Sequence, residues 1–112
     1  MILIHDGYMI DPKSGREGNY DILIDGDKIV KIAEKIEPRG KVTRINAEGL
    51  LVAPGLVDVH VHFRDPGFTY KEDILSGGQA AKKGGYTGIG LMANTKPCVD
   101  NEETLAISTI PV

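Results

Sequence analysis

The sequence predicts an α/β protein in which a β-rich N-terminal part precedes a strand–helix–strand–helix unit with a parallel sheet. Up to about residue 53, short apolar runs alternate with Asp, Asn and Gly turn signals, a pattern typical of strands. After Pro54, strand-like and helix-like segments alternate with short connections, and parallel strands require such a crossover helix. We therefore expect two parts, residues 1–53 and residues 54–112.

Six short strands are predicted in the N-terminal part. The strongest turn signal is Asp25-Gly26, because both positions of a two-residue hairpin need a positive φ that these residues tolerate. Asp6-Gly7 is a second predicted turn, and the segment 34–37 fits either a turn or one turn of helix. So small a sheet has difficulty covering both of its faces, so we expect it to pack on another element. The predicted strands cover residues 2–4, 8–10, 21–24, 28–32, 42–45 and 50–52.

The first strand of the second part is predicted over residues 56–63, between two Pro-Gly pairs at 54–55 and 66–67. Thr69 and Glu72 have the spacing of a capping box, which predicts that a helix begins there, and Gly84-Gly85 predicts its end. Gly77 and Gly78 lie inside this helix, where each costs about 1 kcal/mol relative to Ala, so close packing of helix on sheet is expected.

A second strand and a second helix follow this first pair. The strand is predicted over residues 87–93, and the polar loop 94–97 comes next. A further helix is expected to begin at Asp100-x-x-Glu103 and to run towards Ser108, with Pro111 stopping it soon afterwards.

The most informative motif is the pair His60 and His62 near the end of the first of these strands. Side chains in a strand alternate between faces, so residues two apart lie on one side, with Cα atoms about 6.5–7 Å apart. Asp58 and Arg64 share that face by the same parity. Burial of such groups without a partner is costly, so the pattern favours a polar, metal-binding site over two ordinary core histidines.

Asn94 is predicted to join this site. It follows the second strand directly, and the carboxyl ends of parallel strands open at the same edge of the sheet, where ligands bind. On its own, Asn94 beside Pro97 would be read as a turn former, but its place at the same edge as the histidines favours a site role.

Composition excludes several functional classes. The net charge is −3 with both signs interspersed, so the basic stripe of a nucleic-acid-binding protein is absent. The single Cys98 rules out an internal disulfide and indicates a reducing, cytoplasmic setting. No apolar run approaches the roughly 20 residues that cross a bilayer, and the start of the chain lacks the pattern of a signal peptide.

Several blocks of sequence resemble one family, the dihydroorotases of the amidohydrolase superfamily. The block from Asp58 to Gly67, Asp-Val-His-Val-His-Phe-Arg-Asp-Pro-Gly, followed by Lys-Glu-Asp-Ile at 71–74, is similar to the first metal-binding motif of that family. Residues 76–87 and the block Met-Ala-Asn-Thr-Lys-Pro at 92–97 resemble its helix and second-strand motifs, and the N-terminal strands resemble its small β-sandwich. One departure is Ala93, where the family commonly has Pro.

The resemblance implies a zinc-dependent cyclic amidase that reversibly hydrolyses (S)-dihydroorotate to N-carbamoyl-L-aspartate in de novo pyrimidine biosynthesis. Carried over, His60 and His62 would be zinc ligands, with one or two Zn²⁺ ions per intact site, and Arg64 and Asn94 would bind the substrate carboxylate. Neutral imidazoles suit Zn²⁺, and a guanidinium can hold a carboxylate through two hydrogen bonds.

Asp58 and Asp65 are possible outer residues of the implied site, where they would orient the residues that bind metal or substrate. Asp58 is more plausible in this role than as a metal ligand. Asp65 precedes Pro66 and is first of all a turn residue.

The resemblance also implies a (β/α)₈ barrel, which needs about 250 residues, whereas the chain has 112. It accounts for part of the sandwich and about two βα units. The remaining metal ligands and the aspartate that acts as proton shuttle are expected beyond Val112, so the chain alone contains no complete catalytic set and should be inactive.

Two alternatives remain open beside the dihydroorotase. One is another cyclic-amide hydrolase, of the hydantoinase, dihydropyrimidinase or allantoinase type. The other is a non-catalytic assembly module. The expected partners are the small-molecule substrate, further copies of the intact protein and other pyrimidine-pathway enzymes, but neither nucleic acid nor membrane.

Overall fold

The computed structural model describes residues 1–107, with side chains described as far as Thr104. The chain divides between Pro54 and Gly55 into two compact units. The expected stop of the last helix at Pro111 lies outside the described residues.

The first unit is a five-stranded mixed sheet. Its strands are β1 (Ile2–Asp11), β2 (Arg16–Asp25), β3 (Lys28–Ala33), β4 (Thr43–Asn46) and β5 (Leu51–Val52). The order is β3-β2-β1-β4, and β5 also pairs with β1. Strands β1, β2 and β3 are antiparallel neighbours, whereas β4 and β5 run parallel to β1. Strand β1 is therefore the centre of this sheet.

The turn predicted at Asp6-Gly7 is wrong, because β1 runs through it. The register of β1 against β2 shifts between Ile4 and Gly7, which marks a β-bulge, and Asp6 takes a φ of +61°. A bulge places an extra residue in one strand without ending the strand, so the turn-like composition here bends β1 rather than reversing it. The predicted hairpin is confirmed, but its turn lies one residue later than expected. Asp25 pairs with Lys28, so the turn residues are Gly26 and Asp27, and of these Gly26 has a positive φ, of +60°.

A buried carboxylate ties the bulge to the segment that follows β3. Asp21 is 2% exposed, and its two oxygens accept hydrogen bonds from the backbone amides of Asp6, at 3.2 Å, and Ile36, at 2.9 Å. Ile36 is buried with Leu3, Met9 and Ile22 in the core of this unit. The ambiguous segment 34–37 is irregular rather than helical, because its backbone is held by a side chain from β2.

The second unit has the predicted strand–helix–strand–helix order. It consists of β6 (Leu56–Val61), α1 (Ile74–Lys83), β7 (Tyr86–Leu91) and α2 (Glu102–Ile107). Strands β6 and β7 pair in parallel, so the predicted parallel crossover is confirmed. Strand β6 ends at Val61, so His62 and Phe63 lie just beyond the strand in which they were expected. Val57 and Val59 of β6 are 66% and 75% exposed, which leaves part of this strand uncovered in the described residues.

Helix α1 begins later than its predicted capping box. Its N-cap is Asp73, whose Oδ1 accepts a 2.7 Å hydrogen bond from the Ser76 amide. This backbone hydrogen bond lowers the pKa of Asp73. The Thr69 hydroxyl instead donates to Asp65 at 2.8 Å, because the loop before the helix folds back on itself. The helix ends at Gly84, followed by Gly85 with a φ of +85°, as the Gly-Gly pair predicted.

Helix α2 begins at Glu102 and is capped by Asn101, whereas the sequence predicted Asp100 as the start of the helix. The side-chain oxygen of Asn101 accepts from the Thr104 amide at 3.0 Å, so Asn101 rather than Asp100 closes the first turn. Within the described residues, no helix has the length and apolar character needed to cross a membrane.

Candidate functional site

The parallel pairing of β6 and β7 places the two loops that follow them at one edge of the sheet. The Met92 amide donates to the Val61 carbonyl at 2.9 Å, which extends the pairing by one residue beyond the end of β7. Further on, the Lys96 amide donates to the Pro66 carbonyl at 3.0 Å. Two loops about thirty residues apart in sequence are therefore joined through their backbones.

Gly67 is required where these two loops meet. Its φ is +95°, and a Cβ built on it would lie 2.1 Å from the Lys96 carbonyl oxygen. A residue with a side chain would be strained at this φ, and its Cβ would collide with the Lys96 backbone. The close approach of the two backbones thus depends on a glycine.

The two histidines of the motif converge on one point. Their Nε2 atoms are 3.2 Å apart, and the rings meet edge to face with centroids 5.1 Å apart. Two nitrogen ligands on a tetrahedral zinc ion, each about 2.0–2.1 Å from the metal, lie about 3.3–3.4 Å from one another. The spacing of the His60 and His62 nitrogens therefore fits two ligands of a single zinc ion.

Asn94 contacts this pair directly. Its Oδ1 lies 2.8 Å from Nδ1 of His62, a residue 32 positions earlier. An amide oxygen can only accept, so Nδ1 of His62 is the donor and carries the ring proton. The prediction that Asn94 and the histidines meet at one edge of the sheet is confirmed.

Asp58 lies beside the pair but bonds the backbone rather than a ring. Its Oδ1 accepts a 3.0 Å hydrogen bond from the backbone amide of His60, and its side chain is half-buried. This bond holds the backbone at His60, one residue before β6 ends.

Arg64 and Asp65 lie in the loop that follows the histidines. Within the described residues, neither the Arg64 guanidinium nor the Asp65 carboxylate contacts the two rings or Asn94 through an ion pair or hydrogen bond. Asp65 accepts from Thr69, and the Arg64 carbonyl accepts from the Phe68 amide at 2.8 Å, so both residues shape the loop. The structure thus brings together His60, His62 and Asn94, with Asp58 adjacent on the backbone.

A cleft of about 360 Å³ opens beside the site and includes a carboxylate that sequence reasoning overlooked. Glu72 lines this cleft together with Asp58 and His62, and its side chain is half-buried. In the sequence, Glu72 belongs to a predicted capping box and to the block that resembles the first metal-binding motif, but neither pattern gave it a role in the site. The signal available in the sequence was the position of Glu72, an acidic residue close to the His60–His62 motif.

In the part of the chain that the structure describes, no group of three His, Cys, Asp or Glu side chains lies close enough to enclose a metal ion. The described residues therefore fit a zinc ion as two of its ligands and no more. A catalytic zinc takes three protein ligands and keeps one position open.

Comparisons with known proteins show the family to which the chain belongs. The chain matches the family model described as dihydro-orotase-like over residues 49–110. It is 55% identical over 105 residues to the dihydroorotase of Clostridium acetobutylicum, covering 94% of this chain and 25% of that protein. It is 59% identical over 104 residues to the dihydroorotase of Clostridioides difficile, covering 93% of this chain and 25% of that protein. The chain thus spans about a quarter of the length of these relatives.

Solved structures show the same class. A D-hydantoinase from Bacillus sp. AR9 superposes with a TM-score of 0.76 at 29% identity, covering 95% of this chain and 23% of that one. A D-hydantoinase (dihydropyrimidinase) from Thermus sp. gives 0.71 at 30% identity, covering 83% and 20%. The fold and the sequence match therefore place the chain in the class of the amidohydrolases. Within that class, the chain belongs to the dihydro-orotase-like family.

Proposed function

We propose that the protein to which this chain contributes is a zinc-dependent dihydroorotase, which reversibly hydrolyses the cyclic amide of (S)-dihydroorotate to N-carbamoyl-L-aspartate in de novo pyrimidine biosynthesis. The observation that carries the proposal is the convergence of two Nε2 atoms, 3.2 Å apart, at the edge of the sheet where Asn94 also lies. More than half of the aligned residues are identical to those of dihydroorotases, which supports the choice of dihydroorotate as substrate.

His60 and His62 are the proposed zinc ligands within this chain. When bound, the ion supplies a positive charge that activates water and polarises an amide carbonyl. The chain's own contribution is to present two ring nitrogens at the right spacing, with the Asn94 oxygen bonded to the opposite nitrogen of His62. The intact site is proposed to hold one or two zinc ions. The further metal ligands and the proton-shuttle aspartate are proposed to come from the part of the protein outside this chain.

Arg64 and Asn94 are the proposed ligands of the substrate carboxylate. A guanidinium matches a carboxylate with two parallel hydrogen bonds, and the Asn94 amide nitrogen can add a third. The exposed position of Asn94 leaves that nitrogen open to a ligand. Asp58 is proposed to hold the backbone at His60, and Asp65 to hold the loop that carries Arg64.

The two units correspond, in this proposal, to an N-terminal β-sandwich portion at residues 1–53 and the first βαβα part of a (β/α)₈ barrel at 54–112. The parallel β6–β7 pair with α1 between its strands supports the barrel assignment. A cytoplasmic location and assembly into homo-oligomers, with other pyrimidine enzymes as further partners, belong to the same proposal. The exposed free thiol of Cys98 suits a reducing compartment.

A second candidate is a cyclic-amide hydrolase with another substrate, since the solved structures named above are hydantoinases. The carboxylate of dihydroorotate separates the two, because hydantoin and dihydropyrimidines lack this group and would leave Arg64 without an anionic partner.

The test is the turnover of the intact zinc-loaded protein with dihydroorotate, hydantoin, dihydrouracil and allantoin at equal concentrations. We expect kcat/KM for dihydroorotate to exceed the others by at least roughly 100-fold, as expected when the half-buried Arg64 lacks an anionic partner. Equal or higher activity on an uncharged ring would replace the dihydroorotase assignment by the second candidate.

A further inference from the structure

We propose that Asn94 is a positioning residue for the metal site, acting through His62, in addition to the substrate role given above. Its side-chain oxygen fixes which nitrogen of His62 carries the proton and thereby keeps the other nitrogen available to a metal ion. The inference rests on the proposed function only in the identity of the ion.

The argument begins with the two nitrogens of His62. A neutral imidazole has one protonated nitrogen and one that can accept or coordinate. Nδ1 lies 2.8 Å from the Asn94 oxygen, and Nε2 lies 3.2 Å from Nε2 of His60. With the proton on Nδ1, the lone pair of Nε2 is directed to the point on which His60 converges. The opposite tautomer would place a proton there and exclude the metal.

The backbone around Asn94 is held tightly enough to fix the amide. The carbonyl of Ala93 accepts three hydrogen bonds, from the Thr95 amide at 2.9 Å, the Val99 amide at 3.2 Å and the Cys98 thiol at 3.0 Å. Two residues later, the Lys96 amide is bonded to Pro66, which anchors this loop to the one that follows the histidines. Asn94 therefore approaches His62 from a loop fastened on both sides.

The oxygen and the nitrogen of the Asn94 side-chain amide therefore have separate roles. The oxygen is used by His62, whereas the nitrogen makes no hydrogen bond within the described residues and faces an exposed surface. Asp in place of Asn keeps the oxygen and loses the donor, and Ala loses both. These two substitutions separate the positioning role from the binding of substrate.

The experiment measures zinc affinity of the intact protein by chelator competition, without substrate. Removing a residue that orients a metal-bound histidine weakens metal binding by roughly 10–100-fold. We expect a loss of that size for Asn94→Ala and a change of less than about threefold for Asn94→Asp. Asn19→Ala, at an exposed position in β2 of the other unit, is the matched control and should leave the affinity unchanged. Zinc affinity of Asn94→Ala within twofold of the parent protein would overturn the proposal.

A second measurement does not need metal or activity. In the metal-free protein with ¹⁵N-labelled histidine, His62 should show a protonated Nδ1 and an unprotonated Nε2, and Asn94→Ala should shift it towards the other tautomer. A purely structural role for Asn94 would leave the tautomer unchanged. If the protein fails to turn over dihydroorotate, the proposed function fails, but the tautomer and the zinc affinity still decide the role of Asn94.

Discussion

Gly77 of helix α1 lies directly against the ring of Phe63. A Cβ at Gly77 would be 2.9 Å from two ring carbons of Phe63, closer than a side chain permits. Phe63 follows His62 in the chain and is 8% exposed, so helix α1 packs at this point on the segment that directly follows β6. The expected close approach of helix to sheet is therefore made at the residue next to the proposed metal ligand.

Gly77→Ala is expected to destabilise the protein by about 1–3 kcal/mol, because an added methyl group in a closely packed contact forces its neighbours to move. The free energy of unfolding from urea titration measures the loss. Combined with Phe63→Leu, the Ala substitution should cost less than it does alone, since the shorter side chain makes room. Additive losses would show that the strain arises elsewhere.

Gly67→Ala should disrupt the edge of the sheet where the two site loops meet. It combines a disfavoured φ with a collision against the Lys96 carbonyl, whereas Gly15→Ala, at a φ of +69°, meets nothing within 4 Å. The control should therefore lose about 1–2 kcal/mol from backbone conformation alone. Gly67→Ala should lose clearly more and should also reduce zinc retention. Equal losses in unfolding free energy for Gly67→Ala and Gly15→Ala would refute the close approach of Gly67 to the Lys96 backbone.

His60→Ala and His62→Ala are each expected to abolish zinc retention and activity of the intact protein, because a site with one ligand fewer cannot hold a catalytic zinc. Metal content after gel filtration is the measurement. His5→Ala, the third histidine of the chain, is the control, since its ring bonds to Asp6 in the other unit. Zinc content that survives both site substitutions would remove these residues from the ligand set.

Arg64→Met should raise KM for dihydroorotate while zinc content stays unchanged. Loss of a charged hydrogen bond costs about 1.5–3 kcal/mol, which corresponds to a rise in KM of roughly 10–150-fold. Arg64→Lys should recover part of the affinity, because the charge remains but the paired donors do not. An unchanged KM in the Met variant would place the carboxylate elsewhere.

The stability contributed by Asp73 should depend on pH. Its folded-state pKa lies below the ordinary value of 3.8, because the Ser76 amide bonds the charged form. The group therefore stabilises the fold above about pH 4 and loses this contribution as the pH falls through 3.8 to the lower folded pKa. Asn also caps helices but does not titrate, so Asp73→Asn should weaken the acid dependence of the melting temperature below pH 4. Identical acid profiles would argue against this cap.

Much of the fold follows from patterns that depend on neighbouring residues alone. The alternation around His60 and His62 predicted their convergence, and strand order predicted that Asn94 would meet them. The hairpin with Gly26 in its turn and the stop of α1 at Gly84-Gly85 follow from conformations that only a few residues tolerate.

The predictions that failed concern groups that could form more than one hydrogen bond or strand pairing, and the structure uses a different one from the one predicted. Thr69 is a good capping residue by composition, yet its hydroxyl bonds Asp65, and Asp73 takes its place at the helix. Asp6-Gly7 resembles a turn, but pairing of β1 on both sides keeps the strand intact. The contact of the Asn94 oxygen with His62 depends on a side-chain orientation that no sequence pattern records.

The carboxylate of Asp21 also limits where the first unit can accept an inserted residue. The segment 34–37 has no regular secondary structure, and such segments usually accept insertions. Here, an extra residue between Ala33 and Ile36 would draw the Ile36 amide away from Asp21 and leave a buried charge with one backbone donor fewer. An irregular stretch of chain is thus as constrained in length as the strands beside it.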